Sequence, residues 1–290
     1  MNCAKCQLIA AMTIFSTIGL VRRYIPYSST LIAFARAFIG VIFLLGVLKL
    51  KSGRFDMKGI KRYAMPLVIS GVFMGINWIL LFESYNYTTV SVSTICYYMA
   101  PVFVIFASRI VFKETITLKK GLCALIAVVG MVFVSGVLET GFIGMQGALY
   151  GLGAAVFYAS VIVINKYNEA VPPIERTLIQ LGVAAAAILP YLIVTEDLTA
   201  LQWSGMGLGL LCLAGIFHTG FAYTLYFESV QDLPAQTVAL MSYIDPVLAI
   251  LLSAWILHEA LSPLAMIGIV MVLGSAVSSE VSFKNRKKYK

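Results

Sequence analysis

Charge is what this sequence has least of. Asp, Glu, Lys and Arg together make up 12% of its 290 residues, about half the share usual in soluble domains. With 60% hydrophobic residues and a mean hydropathy of +0.93, the chain cannot cover its apolar surface with polar side chains, which excludes a soluble globular protein and assigns it to a bilayer. Histidine is almost absent, and no metalloprotease helix can be built from it: His258-Glu259 continues as Ala-Leu-Ser without the second His of HExxH. Neither a G-x-G-D around Asp245 nor a G-x-S-x-G nucleophile elbow is present, so the commoner signatures of an intramembrane enzyme are missing. No Walker A sequence occurs, so ATP does not drive the protein directly. The five cysteines are too few and too scattered for a disulfide framework, since Cys96, Cys123 and Cys212 lie inside apolar runs. Cys3 and Cys6 form a single CxxC with no second pair and no partner His, and the chain offers no zinc site, no other metal-ligand set and no cofactor motif.

What is present is a succession of apolar spans. Crossing a hydrocarbon core about 30 Å thick takes roughly 20 residues of helix, and ten such runs can be drawn, at 4–21, 29–50, 65–84, 89–112, 119–138, 144–165, 177–194, 206–227, 235–257 and 263–281. They are too long and too continuously apolar for the alternating strands of an outer-membrane barrel. The apolar part of the first run, Leu8 to Val21, is as short as a signal-peptide core, but it lacks an A-x-A site and leads into Arg22-Arg23 and another span, so it is expected to stay as helix 1.

The formal net charge of +8 does not point to nucleic acid, because the bases sit in short clusters between spans. With a cytoplasmic N-terminus, 18 of the 21 bases fall in inside segments and two, Arg22 and Arg23, fall outside; Arg36 lies within helix 2. That asymmetry obeys the positive-inside rule with both termini cytoplasmic. The basic tail, FKNRKKYK, is expected to meet anionic headgroups of the inner leaflet.

The stretch from Phe82 to Glu114 returns 145 residues later, without a gap, as Phe227 to Glu259, with nine of 33 positions identical. The matches include Phe-Glu-Ser at the start, an intramembrane Tyr-x-x-Pro (Tyr98, Pro101; Tyr243, Pro246) and the closing Glu. The chain therefore reads as two five-helix units, residues 1–138 and 142–290. An odd number of spans inverts the second copy in the membrane, and prolines at matching depth mark helix breaks where the halves would enclose a cavity. The expected fold is all-α and integral to the membrane: ten transmembrane helices as two inverted five-helix repeats. Small residues at helix spacing, Gly71 with Gly75 and Gly147 with Gly151, fit close helix contacts.

Ten spans in two halves, YMAPVF running through FKETITLKKGL, and YIDPVL through LHEALSPLAMIGIVMVLG, resemble the EamA-type members of the drug/metabolite transporter superfamily over the whole chain. The resemblance implies a secondary transporter of the bacterial inner membrane that exports amino acids, related metabolites or toxic compounds; import and exchange occur in the family too. Its partners are then a small-molecule substrate and the lipid bilayer, with a homodimer as one assembly. An intramembrane enzyme and a passive channel are the alternatives from other classes.

Asp245, mid-helix before Pro246 and replacing the equivalent Ala100, is costly in lipid unless paired, hydrated or protonated; it reads either as a proton-coupling or cation-binding carboxylate or as a structural one. Arg36 offers a planar fork for a substrate carboxylate, a counter-ion for Asp245, or a snorkelling base. His218 reads as a second proton-coupling candidate or as an interhelical hydrogen-bonding group. Asn77, Trp78, Tyr97, Tyr98, Tyr158, Tyr223 and Tyr243 form the aromatic and amide set of a substrate cavity, against the alternative of facing lipid or the interfaces. Glu83 and Glu228, ending helices 3 and 8, are gate candidates on opposite faces.

Overall fold

The computed structural model describes residues 3–50, 57–88, 90–134, 137–141, 144–167, 170–197, 201–256 and 262–280, and among these the chain is helix and connecting turn with no strand. The basic tail and Glu259 lie outside the described residues. Continuous apolar sequence leaves the backbone no polar solvent, so each run closes its own i to i−4 hydrogen bonds. Helix α1 (Cys3–Ser16) passes through Thr17 into α2 (Ile18–Arg23), followed by α3 (Ser29–Leu50), the short basic α4 (Met57–Arg62) and α5 (Ala64–Tyr87). Next come α6 (Val90–Tyr97), α7 (Ala100–Val111), α8 (Leu118–Val134) and the single turn α9 (Val137–Thr140). The remainder comprises α10 (Met145–Tyr167), α11 (Pro173–Thr195), α12 (Gly205–Gly215), α13 (Ala222–Asp232), α14 (Ala235–Met241), α15 (Ile244–Ile256) and α16 (Pro263–Glu280). A π-helical turn, Ile216–Phe221, joins α12 to α13.

Seven helical stretches among the described residues are long and apolar enough to cross a membrane: Cys3–Arg22, Ser29–Leu50, Ala64–Tyr87, Met145–Tyr167, Pro173–Thr195, Gly205–Asp232 and Ala235–Ile256. Ala100–Val111 and Pro263–Ser275 are shorter apolar helices. The surface is built for lipid: Ile110, Val194, Trp255 and Val270 are all more than 70% exposed. The interior, by contrast, holds Ser70, Asn77, Asn165, Arg176, Gln180, Thr219 and Gln236, each at most 1% exposed.

Two helices break at corresponding places. Helix α6 stops at Tyr97 and α7 starts at Ala100; α14 stops at Met241 and α15 starts at Ile244. A proline ring collides with the carbonyl four residues back and supplies no N–H to it. For Pro101 that residue is Tyr97, where α6 ends, and for Pro246 it is Ser242, where the second break begins. The gaps are bridged by tighter i to i−3 bonds, Met99 N to Cys96 O at 3.2 Å and Asp245 N to Ser242 O at 3.3 Å.

The packing has a matched character. Helix α5 lies along α10 as α1 lies along α13; α10 also touches α6 and α7, as α1 touches α14 and α15. Helix α11 packs on α3 and α5, α8 on α16, and α7 on α14. Close approach depends on glycine. A Cβ at Gly71 would lie 2.6 Å from Val183 Cβ and 2.9 Å from the Gln180 carbonyl oxygen; one at Gly130 would lie 2.8 Å from Val272 Cγ2. Gly147 and Gly151 are pressed in the same way against Thr88 and Cys96.

Candidate functional site: a polar cavity at the helix breaks

The two breaks face one another. Tyr98, the first residue after α6, donates its hydroxyl to Asp245 Oδ2 at 3.3 Å, and the Tyr243 hydroxyl donates to the carbonyl oxygen of Tyr98 at 3.0 Å. A hydroxyl that spans from one break to the other would otherwise be an unsatisfied donor in hydrocarbon, so the pairing fixes both breaks together. Around them lies a cavity of about 150 Å³ lined by Arg36, Trp78, Tyr97, Tyr98, Pro101, Tyr158, Tyr223 and Asp245, with Met12, Phe15, Ser242 and others completing the wall.

Arg36 enters from α3. Its Nε donates to Thr219 Oγ1 at 3.0 Å, and its guanidinium carbon stands 5.4 Å from the Trp78 ring centroid. Thr219 can receive Arg36 because the π-helical turn carries it: its own hydroxyl donates five residues back, to Ala214 O at 2.8 Å. Such turns gather at functional sites. Arg36 and Asp245 share the cavity, but each is held by its own neighbour, Thr219 for the base and Tyr98 for the acid. Both residues line the same cavity and are its two charged groups.

Aromatic rings make the rest of the wall. Tyr97 stacks on Tyr158 with centroids 5.5 Å apart at 20°, Tyr98 meets Tyr97 edge-on at 5.6 Å, and Trp78 meets Tyr223 at 6.3 Å. The Tyr158 and Tyr226 hydroxyls are 3.4 Å apart. The combination offers a charge-assisted fork for an anion, an acceptor for a cation, and flat apolar faces between them. A second cavity of about 310 Å³ shares Ile18, Arg36, Leu81, Phe82, Tyr97 and Tyr98 with the first and continues past Arg22, Ser29 and Tyr85. The site thus has a path toward one end of the bundle.

The remaining sequence candidates take other positions. Asn77 donates from Nδ2 to Ala154 O at 2.7 Å and ties α5 to α10 beneath the cavity. His218 sits behind the Arg36 wall, with Nε2 2.9 Å from Thr17 Oγ1 and Nδ1 3.4 Å from Leu213 O. Tyr243 reaches the site only through the Tyr98 backbone. Pro246 shapes the break without lining the cavity. Glu83 lines a pocket with Ser28, Tyr191 and Glu196 near the end of α11, whereas Glu228 lines another with Leu48, Pro173 and Glu175 near its start.

Several functional-looking residues have no sequence signal. Thr219 matters only because of a π turn that no motif announces, and Ser242 only because α14 ends there. Arg176, one of the 18 bases counted to the inside segments, lies in the first turn of α11 and is fully buried, giving Nη1 to Asn165 O at 3.0 Å and Nη2 to Phe227 O at 2.6 Å. Gln180, the position offset by 144 from Arg36, donates to Asn165 Oδ1 at 3.0 Å and also contacts Ser70.

The sequence profile of the EamA-like transporter family matches residues 4–136 and again residues 145–279. This chain belongs to the EamA-like transporter family. It is 27% identical to the uncharacterized transporter YxxF of Bacillus subtilis over 86% of this chain and 80% of that protein. It is likewise 27% identical to the uncharacterized transporter YwfM of the same organism over 96% and 94% of the two chains, and 24% identical to an uncharacterized transporter of Archaeoglobus fulgidus over 96% of both. A protein crystal structure superposes with a TM-score of 0.82 at 18% identity, covering 96% of this chain and 98% of that one, a likeness of fold. Family membership and the apolar helices together make this a multi-pass membrane protein with a transporter role.

Proposed function

We propose that the chain is a secondary carrier of the bacterial inner membrane that works by alternating access, exporting amino acids or related small zwitterionic metabolites, with Asp245 as the group that couples transport to protons. The architecture proposed is ten transmembrane helices in two inverted five-helix repeats, residues 1–138 and 142–290, with both termini cytoplasmic. The double match of the family profile and the matched packing of α5 on α10 and α1 on α13 support the duplication. The observation that carries the function is the cavity between the two helix breaks, where Arg36, Asp245 and stacked tyrosines converge.

The chemistry follows from that set. A substrate carboxylate takes the Arg36 fork, its ammonium takes Asp245 in place of the Tyr98 hydroxyl, and an apolar body lies between Trp78, Tyr97 and Tyr223. Proton uptake by Asp245 would remove the ammonium partner and release the substrate, which makes the exchange of one for the other obligatory. The cavity that continues past Arg22, Ser29 and Tyr85 opens on the face that the positive-inside rule places outside. Alternating access then requires α7 and α14, packed together on the inner side, to part.

Counterflow in vesicles reconstituted with the purified protein is the decisive measurement. A carrier preloaded with unlabelled amino acid accumulates labelled amino acid against its gradient. Equilibration without transient accumulation would identify a channel, and label appearing in a new compound an enzyme.

A further inference from the structure

A second polar cavity, about 520 Å³ in volume, lies away from the central one, lined by Glu114, Thr115, Lys120, Lys166, Asp232, Leu233, Pro234 and Gln236. It is framed by the chain leaving α7, the last turn of α10 and the link from α13 to α14. Its floor is Gln236, fully buried on α14. Among the described residues neither the amide nitrogen nor the amide oxygen of Gln236 has a hydrogen-bonding partner. Glu114 is half satisfied: Oε1 accepts from Ala235 N at 3.1 Å, while Oε2 is buried and likewise without a partner. Lys166 gives one N–H to Gln231 O at 2.6 Å.

Burying an unpaired amide costs about 1–3 kcal/mol, and such groups in native proteins call for an explanation. Packing alone does not supply one here, since a leucine would fill the same volume without the cost. The surroundings are chemically specific. Two bases, Lys120 and Lys166, face two acids, Glu114 and Asp232, across a cavity whose floor offers both a donor and an acceptor. A net anion would be repelled by the acids and a net cation by the bases; a molecule carrying both charges meets a partner for each.

We propose that this cavity binds a small zwitterion of the α-amino acid class, its carboxylate toward Lys120 and Lys166, its ammonium toward Glu114 Oε2 and Asp232, and its polar groups completed by the Gln236 amide. The binding chemistry rests on these residues alone. The role assigned to it, a cytoplasmic loading site where an exported molecule waits outside the contact of α7 with α14, rests on the carrier reading above.

The test uses full-length protein, with L-methionine and L-phenylalanine as separate probes. In an Arg36→Gln/Asp245→Asn background, which removes the charged groups of the central cavity, calorimetric titration is expected to show one remaining site. Adding Gln236→Leu is expected to weaken that site about tenfold or abolish it, the loss of one paired amide. Gln236→Leu by itself is expected to melt at or above the wild-type temperature, because it removes an unpaired polar group, so loss of binding is not loss of fold. Lys120→Gln, at a half-buried side chain, serves as the second variant and is expected to weaken binding similarly. In otherwise wild-type vesicles, Gln236→Leu raises KM from the inner side and leaves KM from the outer side unchanged. A background protein that binds neither probe, or binding untouched by both Gln236→Leu and Lys120→Gln, overturns the proposal and leaves the amide simply hydrated. Binding that persists in the background while wild-type vesicles show no counterflow keeps the site and removes the carrier.

Discussion

Tyr98 and Asp245, 147 positions apart in sequence, meet through a hydroxyl donated to Oδ2 at 3.3 Å. The bond joins the broken helix of the first half to that of the second. Any motion that separates those helices must break it and expose the carboxylate, so the state of Asp245 and the conformation of the protein are linked. Asp245→Asn keeps the size and an acceptor for Tyr98 while removing the exchangeable proton. The expected result is loss of transport driven by a pH gradient with substrate exchange still measurable. Gradient-driven flux at the wild-type rate would withdraw proton coupling from Asp245.

Arg36 makes two directional contacts, a hydrogen bond to Thr219 and a stack on Trp78. A lysine can keep the charge but cannot do both, since its ammonium is a point charge without a planar face. Arg36→Lys is expected to raise KM for an amino acid about tenfold, of the order of one charge-assisted hydrogen bond, and Arg36→Gln to raise it further. If Arg36→Lys exchanges with wild-type KM, the base is a structural prop for the π turn and not a substrate ligand.

Much of this site is legible in the sequence, and the reason is duplication. A repeated Tyr-x-x-Pro in an apolar span is a local signal with a local cause, the collision of Pro101 with the carbonyl of Tyr97. The isolation of Asp245 and Arg36 in hydrocarbon was equally plain, because charge at depth is expensive wherever the helix goes. Orientation about the helix axis was not legible. Asn77 and Trp78 are neighbours in sequence, yet Trp78 lines the cavity itself, whereas Asn77 donates to Ala154 O and reaches the site only through its hydrogen bond with Tyr97. Nor could the sequence place His218 behind the wall, since that depends on a π turn whose extra residue shifts the register of everything after Gly215. The burial of Arg176 was not legible either, because a base just inside a helix start carries no sequence signal for the side of the helix it occupies.

Arg176 now has a structural assignment that can be tested. Its guanidinium satisfies the carbonyl oxygens of Asn165 and Phe227 and lies over the Phe227 ring at 5.8 Å, tying together α10, α11 and α13. Arg176→Leu would strand two buried acceptors at about 1–3 kcal/mol each. A clear fall in melting temperature is expected in detergent, with KM of the folded fraction unaltered. An unchanged melting curve would show that the tie contributes nothing to stability.

Gly71 measures how closely α5 must approach α11. Its missing side chain is replaced by Val183 and the Gln180 carbonyl oxygen, both within 3 Å of where a Cβ would sit. Gly71→Ala is expected to cost about 1–3 kcal/mol through overpacking, whereas Gly19→Ala, with nothing within 4 Å, should be neutral or slightly stabilising. Equal melting temperatures for the two variants would contradict the tight contact.

Glu83 and Glu228 line pockets at opposite ends of α11, and the inverted architecture requires them to face opposite sides of the membrane. Replacing each by cysteine tests this directly, but the native thiols must first be removed. Cys3, Cys6 and Cys212 are exposed and should go without cost. Cys96 and Cys123 are buried, and Cys96 packs directly against Gly151, so both are replaced by serine or alanine, which leave no larger side chain. In that background, an impermeant thiol reagent applied to whole cells is expected to label Glu83→Cys, while Glu228→Cys reacts only after the membrane is opened. A substrate that shifts the protein between its two states should change the two labelling rates in opposite directions. Labelling of both from the same side would refute the inverted repeat, and with it the placement of the zwitterion cavity on the cytoplasmic face.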